Sequence, residues 1–330
     1  MDYWLPLIFV SLMGLSLLLY IILDGYDLGI GILLPLASDD EKDRMIETIG
    51  PFWDANETWI VLGIGILLIA FPSAHGMILT HLYIPVTLML FGLILRGVAF
   101  DFRVKVTAEY KSLWNKLFFV GSLLAAMSQG WMLGSYVMGL ESGLTSIAFS
   151  IAIALSLPAF YVVLGCGWLF IKSSGEIYTK AAKWARTAIL PMGVGLFLIS
   201  IATPIASSTI AAKWFTLPAA IGLLPIPLMT GVAYFTALWV LSKEEILKAG
   251  YGWIVFVCMV VMCLMMALGL AYSIFPDIVI GKLDIWESAS STASLEFALI
   301  GTVIAVPMIL FYTAFIYKIF YGKSQPLSYE

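Results

Sequence analysis

Gly50-Pro-Phe-Trp-Asp-Ala-Asn-Glu-Thr-Trp59 sets two acids and an amide at the mouth of the apolar run Ile60 to Ala70. An ionisable side chain near the centre of a bilayer costs about 2.5–3.5 kcal/mol on insertion scales, and less toward its edge, so such groups need partners or a task. Asp54 and Glu57 are three apart and share a helix face, while Trp53 and Trp59 suit the headgroup level. The stretch reads as a polar site inside a membrane protein.

Composition agrees. Of 330 residues, 62% are hydrophobic and only 12% charged, and the mean hydropathy is +1.01, which points to an integral membrane protein. The apolar runs reach about 20 residues, the length a helix needs to cross hydrocarbon, and the strand alternation of a membrane barrel is missing. The expected fold class is therefore all-α. A net charge of −4 with no basic stripe outside the loops excludes nucleic acid as a partner. Met1-Asp2 is an acidic start, so the first apolar segment is expected to be a retained span. Cys166, Cys258 and Cys263 lie inside apolar runs without metal or disulfide spacing, and buried free thiols are expected.

Nine spans are expected, over 5–36, 52–71, 77–100, 117–139, 147–171, 186–207, 216–241, 251–274 and 293–317. The first is long, so it is expected to tilt or to bend at Asp24-Gly25 and Asp27 to Gly31, where glycine weakens a helix. Pro72, Pro204 and Pro276 are expected to end helices. When the segments between spans are alternated, 15 of the 17 basic residues fall on one side, with only Lys213 and Lys282 opposite. The positive-inside rule then puts the N-terminus outside and the C-terminus in the cytoplasm. No repeat or long linker divides the chain, and a single membrane domain is expected.

Asp24, Asp27, Asp54, Glu57 and Arg96 all belong to the first three spans and, on this topology, to the cytoplasmic third of the membrane. Residues from three consecutive helices can meet there. Intramembrane acids beside a cation suit a proton entry path; they equally suit an ion-pair cluster that fixes helix packing, with Gly25 and Gly29 at GxxxG spacing. His75 and His81 flank an outer turn, one of them in a loop, and are read as interfacial hydrogen-bonding groups rather than haem ligands. Met259, Met262, Met265 and Met266 read as span filler, and Gln129-Gly-Trp-Met-Leu-Gly134 as a helix contact.

Four motifs taken together, Leu23-Asp-Gly-Tyr-Asp-Leu-Gly-Ile-Gly-Ile-Leu33, Gly50 to Trp59, Leu95-Arg-Gly-Val-Ala-Phe-Asp-Phe-Arg103 and Gln129-Gly, resemble subunit II of the cytochrome bd quinol oxidases. The resemblance covers the whole chain and is sharpest in its first 135 residues. It implies a terminal oxidase of a bacterial or archaeal cytoplasmic membrane that oxidises quinol, reduces oxygen to water and draws protons from the cytoplasm. Haems b558, b595 and d are then held by the partner subunit I, and this chain binds no metal and carries no catalytic residue. The implied fold is two four-helix bundles, 1–139 with the acids and 140–274, followed by an outer loop, a peripheral ninth helix and a cytoplasmic tail in 275–330.

By the same resemblance, Asp54 matches an acid that lines a proton path, and Asp24, Asp27 and Arg96 match its neighbours. Glu57 joins the path, with Arg96, Asp101, Asn56 and Trp53 as electrostatic and packing partners. Ala55 stands where glycine is common and Asp101 where glutamate is common. A structural quinone and a small accessory subunit are compatible with the family, and no residue is assigned to either. The alternative reading is a cation-coupled secondary transporter, which calls for inverted repeats and helices broken at the midplane. A third, a two-haem cytochrome, needs about four axial ligands deep in the bundle, against two histidines near one surface.

Overall fold

The computed structural model describes residues 2–206 and 208–324. Among the described residues, nine helices are long and apolar enough to cross a membrane. They are α1 (Trp4–Leu33), α2 (Trp53–Ala70), α3 (Tyr83–Lys105), α4 (Ala108–Val137), α5 (Leu144–Lys172), α6 (Glu176–Ala206), α7 (Pro225–Ser242), α8 (Trp253–Ile274) and α9 (Thr292–Ile319). The chain is an all-α multi-pass membrane protein, as expected.

The differences lie at helix ends. α3 reaches Lys105 and α4 starts at Ala108, well beyond the expected limits of 100 and 117, because Arg103, Lys111 and Lys116 ride on turns that project past the apolar segment. α3 begins at Tyr83 rather than 77, since Pro72 opens a separate helix, Pro72–His81. Proline suits that first position because its missing N–H has no partner there anyway. His75, expected in a loop, lies on this helix with His81. Pro204, expected to end a span, lies inside α6. Ser207, the expected last residue of that span, and the tail 325–330 fall outside the described residues.

α1 does not break at its glycines. It runs unbroken to Leu33 and closes in a 3-10 turn, Leu34–Leu36. Its glycines serve close approach instead: a Cβ on Gly29 would stand 1.8 Å from the Tyr161 carbonyl oxygen of α5. Lipid supplies no hydrophobic drive to bring helices together, so backbone proximity and hydrogen bonds decide where they cross. The same device joins α4 to α5, where a Cβ on Gly130 would lie 2.6 Å from Ala154 Cα and one on Gly134 2.5 Å from Ser150 Cα. The helix contact read from Gln129–Gly134 is therefore present.

These crossings put α1 in the middle, packed on α2, α4, α5, α8 and α9. α3 lies along α4, α6 along α5, and α7 along α8, which returns to α5. α9 meets only α2 and α1 with more than marginal contact, and Phe297, Ile300, Val303 and Phe311 point away from the protein. Cys166, Cys258 and Cys263 are buried and free.

Both ends are tied by polar contacts. At one, Ser38 and Glu41 form a capping box that starts the helix Asp39–Glu47. Glu41 also takes Lys180 Nζ at 2.7 Å, and Asp43 takes Arg103 and Lys111, each at 2.6 Å. The bonds from Lys180 and the Ser38 amide hold the Glu41 carboxyl down to about 2. Burial pushes Asp43 upward, but Lys111 and Arg103 outweigh it and keep it below the usual range. At the other end, the loop after α8 contains a hairpin that the hydropathy pattern did not foretell. Its strands β1 (Asp277–Val279) and β2 (Leu283–Asp284) pair antiparallel, with Gly281 at φ +67° in the turn. Beyond the hairpin, Ser290 N donates to Ala70 O at 2.8 Å and Trp286 Nε1 to Tyr3 O at 3.1 Å.

Two outcomes follow from this packing. Gly29→Ala places its methyl group against backbone, which no rotamer relieves, and is expected to destabilise the protein by about 1–3 kcal/mol or more. Gly14→Ala, with nothing within 4 Å, should stay within about 0.5 kcal/mol of wild type; melting temperatures of the purified protein compare them. Glu41, lower in the folded state than its ordinary 4.5, adds stability that is present above pH 4.5 and lost as pH falls toward 2. Glu41→Gln should therefore melt lower than wild type at pH 7, with the gap narrowing below pH 4.5.

Candidate functional site

The polar site begins on α1. Asp24 lies 20 residues past Trp4, about 30 Å along the helix at 1.5 Å per residue, which brings it near the end where α2 starts and α3 finishes. Asp24 and Asp27 are fully buried, as is Asn56 on α2, and Arg96 on α3 is 1% exposed. Arg96 Nη2 donates to Asp24 Oδ1 at 2.6 Å and also to Glu57 Oε1. One guanidinium thus binds carboxylates from two other helices, and three consecutive spans converge on it. Beside it Tyr20 faces Asp24, while its hydroxyl accepts from Gln129 Nε2 at 2.8 Å. Gln129 Oε1 in turn accepts from Tyr161 at 2.6 Å, so this amide ties α4 to α1 and α5.

Asp27 belongs to a second group, built on the uncharged Asn56 amide. Asn56 Nδ2 donates to Asp27 Oδ2 at 2.8 Å, to Tyr26 Oη at 2.9 Å and to Leu23 O at 3.2 Å, two hydrogens shared among three acceptors. Asn56 Oδ1 accepts from Tyr317 Oη on α9 at 3.0 Å, and the hydroxyls of Tyr26 and Tyr317 bond to each other. Asp27 Oδ1 and Arg96 Nη1 have no hydrogen-bond partner among the described residues. Both residues line a narrow void with Ile49, Trp53, Phe100 and Phe118, with no position wide enough for a water molecule.

Four of the expected site residues, Asp24, Asp27, Glu57 and Asn56, are brought together with Arg96. Trp53 packs on Phe100 with ring centroids 5.1 Å apart and helps wall the void. Asp54 is exposed on the chain's own surface, near enough to Glu57 to act on its charge, and its carboxylate makes no hydrogen bond among the described residues. Asp101 is also exposed and stands apart. The sequence reading missed Tyr20, Tyr26, Tyr161 and Tyr317. Tyr26 sits between the two α1 acids and was findable from that; Tyr317, 290 residues after Asp27, carries no local signal.

Chemically the cluster gathers three carboxyl groups around one guanidinium. Ionising all of them would leave two uncompensated negative charges in an apolar setting. The residues do not fit a haem bound within this chain: both histidines lie on one short end helix, and His81 Nδ1 is engaged with Met77 O at 2.9 Å. Among the described residues no group of three or more His, Cys, Asp or Glu is placed to hold a metal ion.

The family described as cytochrome bd terminal oxidase subunit II matches residues 5–320. Cytochrome bd ubiquinol oxidase subunit 2 of Bacillus subtilis is 26% identical, covering 99% of this chain and 98% of the relative. Cytochrome bd-I ubiquinol oxidase subunit 2 of Escherichia coli K12 is 23% identical over 94% of this chain and 93% of its own. The fold is shared with a chain of the bd oxidase from Geobacillus thermodenitrificans, at a TM-score of 0.77 and 14% identity, covering 96% and 98% of the two chains. With its whole membrane domain matched from α1 to the end of α9, this chain belongs to the family of cytochrome bd terminal oxidase subunit II.

Proposed function

We propose that this chain pairs with a haem-bearing subunit I in the cytoplasmic membrane, where the complex oxidises quinol and reduces oxygen, and that it lines proton uptake for that reaction. The observation that carries the reading is the pairing of Asp24 and Glu57 with Arg96, with Asp27 one turn along α1, at one end of the bundle. The relatives named as ubiquinol oxidase subunits support the reaction class. The family resemblance divides the spans into two bundles, α1–α4 and α5–α8, with α9 outside them.

In this reading the Asp39–Glu47 end is cytoplasmic, in keeping with the 15 basic residues assigned to that side. Protons enter at exposed Asp54, pass to Glu57, and reach the buried acids. Arg96 holds Asp24 and Glu57 in place and keeps part of the cluster's charge balanced, which leaves Asp27, bonded to the Asn56 amide rather than to the cation, to change protonation. The haems of the partner supply the electron chemistry; this chain's residues hold and pass protons.

The test is Asp54→Asn and Asp27→Asn in the assembled oxidase. Each should leave haem absorption normal and slow quinol oxidation by about a hundredfold, the lower end for losing a proton-transfer group. Full turnover in both variants would mean that the cluster only fixes helix packing.

A further inference from the structure

Asn56 has to be turned one way. Its amide nitrogen faces Asp27 Oδ2, Tyr26 Oη and Leu23 O, and its amide oxygen faces Tyr317 Oη. Following the donors gives a closed loop: Asn56 N–H to Tyr26, Tyr26 O–H to Tyr317, Tyr317 O–H back to the Asn56 carbonyl. Each hydroxyl gives one bond and accepts one, as its chemistry allows. With the amide reversed, its carbonyl would meet the Asp27 carboxyl and the Leu23 carbonyl, acceptor against acceptor, and the donor to Asp27 would be lost. The tyrosine rings are held in turn by packing. Tyr26 stacks on Trp168 at 4.3 Å and 15°, and Tyr317 lies 4.7 Å from Phe52. The main chain beyond α9 is pinned as well, with Lys323 Nζ donating to Ser173 O at 2.7 Å and Ser324 N to Lys172 O at 2.9 Å.

We propose that Tyr317 is a positioning residue which, with Tyr26, holds in place an Asn56 carboxamide whose donor side the Leu23 carbonyl turns toward Asp27, placing the acid site of the first three helices under the control of the ninth. The inference rests on the proton-uptake reading above. The titratable or charged groups facing Asp27 are Asp24 and Tyr26 on α1, Glu57 on α2, Arg96 on α3 and Tyr317 on α9. α5 and α8 bring Tyr161 and Cys263 on the Asp24 side, and α4 brings the neutral Gln129.

The experiment follows quinol oxidation by the assembled oxidase between about pH 6 and 9 in Tyr317→Phe, Tyr26→Phe and the double variant. Tyr312→Phe, exposed on the same helix, is the control, and Asp27→Asn is the reference. Each single variant should keep the haem spectrum, lose about threefold to tenfold in turnover and move its pH profile by about half a unit or more, while the control does neither. Because either change opens the same loop, the double variant should be no slower than the worse single one. Additive losses, or an unmoved profile while Asp27→Asn is slow, would overturn the positioning role alone. If Tyr317→Phe fails to assemble, Tyr26→Phe, which leaves α9 intact, decides the matter by its own pH profile. Full-rate turnover in Asp27→Asn would instead remove the proton reading, and this inference with it.

Discussion

A guanidinium sealed inside an apolar bundle must be met by carboxylates, and the arrangement of this end of the molecule follows from that requirement. Removing one partner from a buried pair commonly costs about 3–5 kcal/mol, because the charge left behind has neither water nor counter-ion. Arg96 on α3 therefore needs Asp24 on α1 and Glu57 on α2 together. The bonds fix the axial level of three helices at once. They are feasible only because α1 reaches the centre of the bundle, which it does by pressing Gly29 against the α5 backbone.

The neutral part of the site works differently. A single uncharged hydrogen bond between membrane helices averages about 0.6 kcal/mol, too little to dominate stability. What Asn56 gains from Tyr26, Tyr317, Leu23 and Asp27 is direction rather than strength. Two carboxylates balance the charge at Arg96, and the amide decides which oxygen of Asp27 is occupied. The two groups meet on adjacent turns of α1, so a proton held on one is felt by the other.

Much of this was legible beforehand. Hydropathy gave the nine spans, because about 20 apolar residues in a row have few other uses. The motif residues gave the Asp24, Glu57 and Arg96 cluster, because acids within a span rarely stand alone. Helix ends were less legible: Arg103, Lys111 and Lys116 look like loop residues to a hydropathy window and like helix residues to the backbone. The hairpin at β1 and β2 was invisible, since five strand residues carry no periodicity of their own. Asp54, expected beside Glu57, turned outward, because spacing fixes a shared face but not which neighbour that face meets. Tyr317 was beyond reach, as its partner lies 261 positions away and only the folded chain brings the two together.

The docking of α9 bears on how the protein is made. This helix leaves the ribosome after the other eight, yet its tyrosine completes the hydrogen bonding of an asparagine inserted near the beginning of synthesis. Until then Asn56 has a carbonyl without a donor in a medium that offers few substitutes. The early helices therefore reach the bilayer with their polar centre unfinished. Maturation of that centre is a late event in biogenesis, closed from the periphery inward.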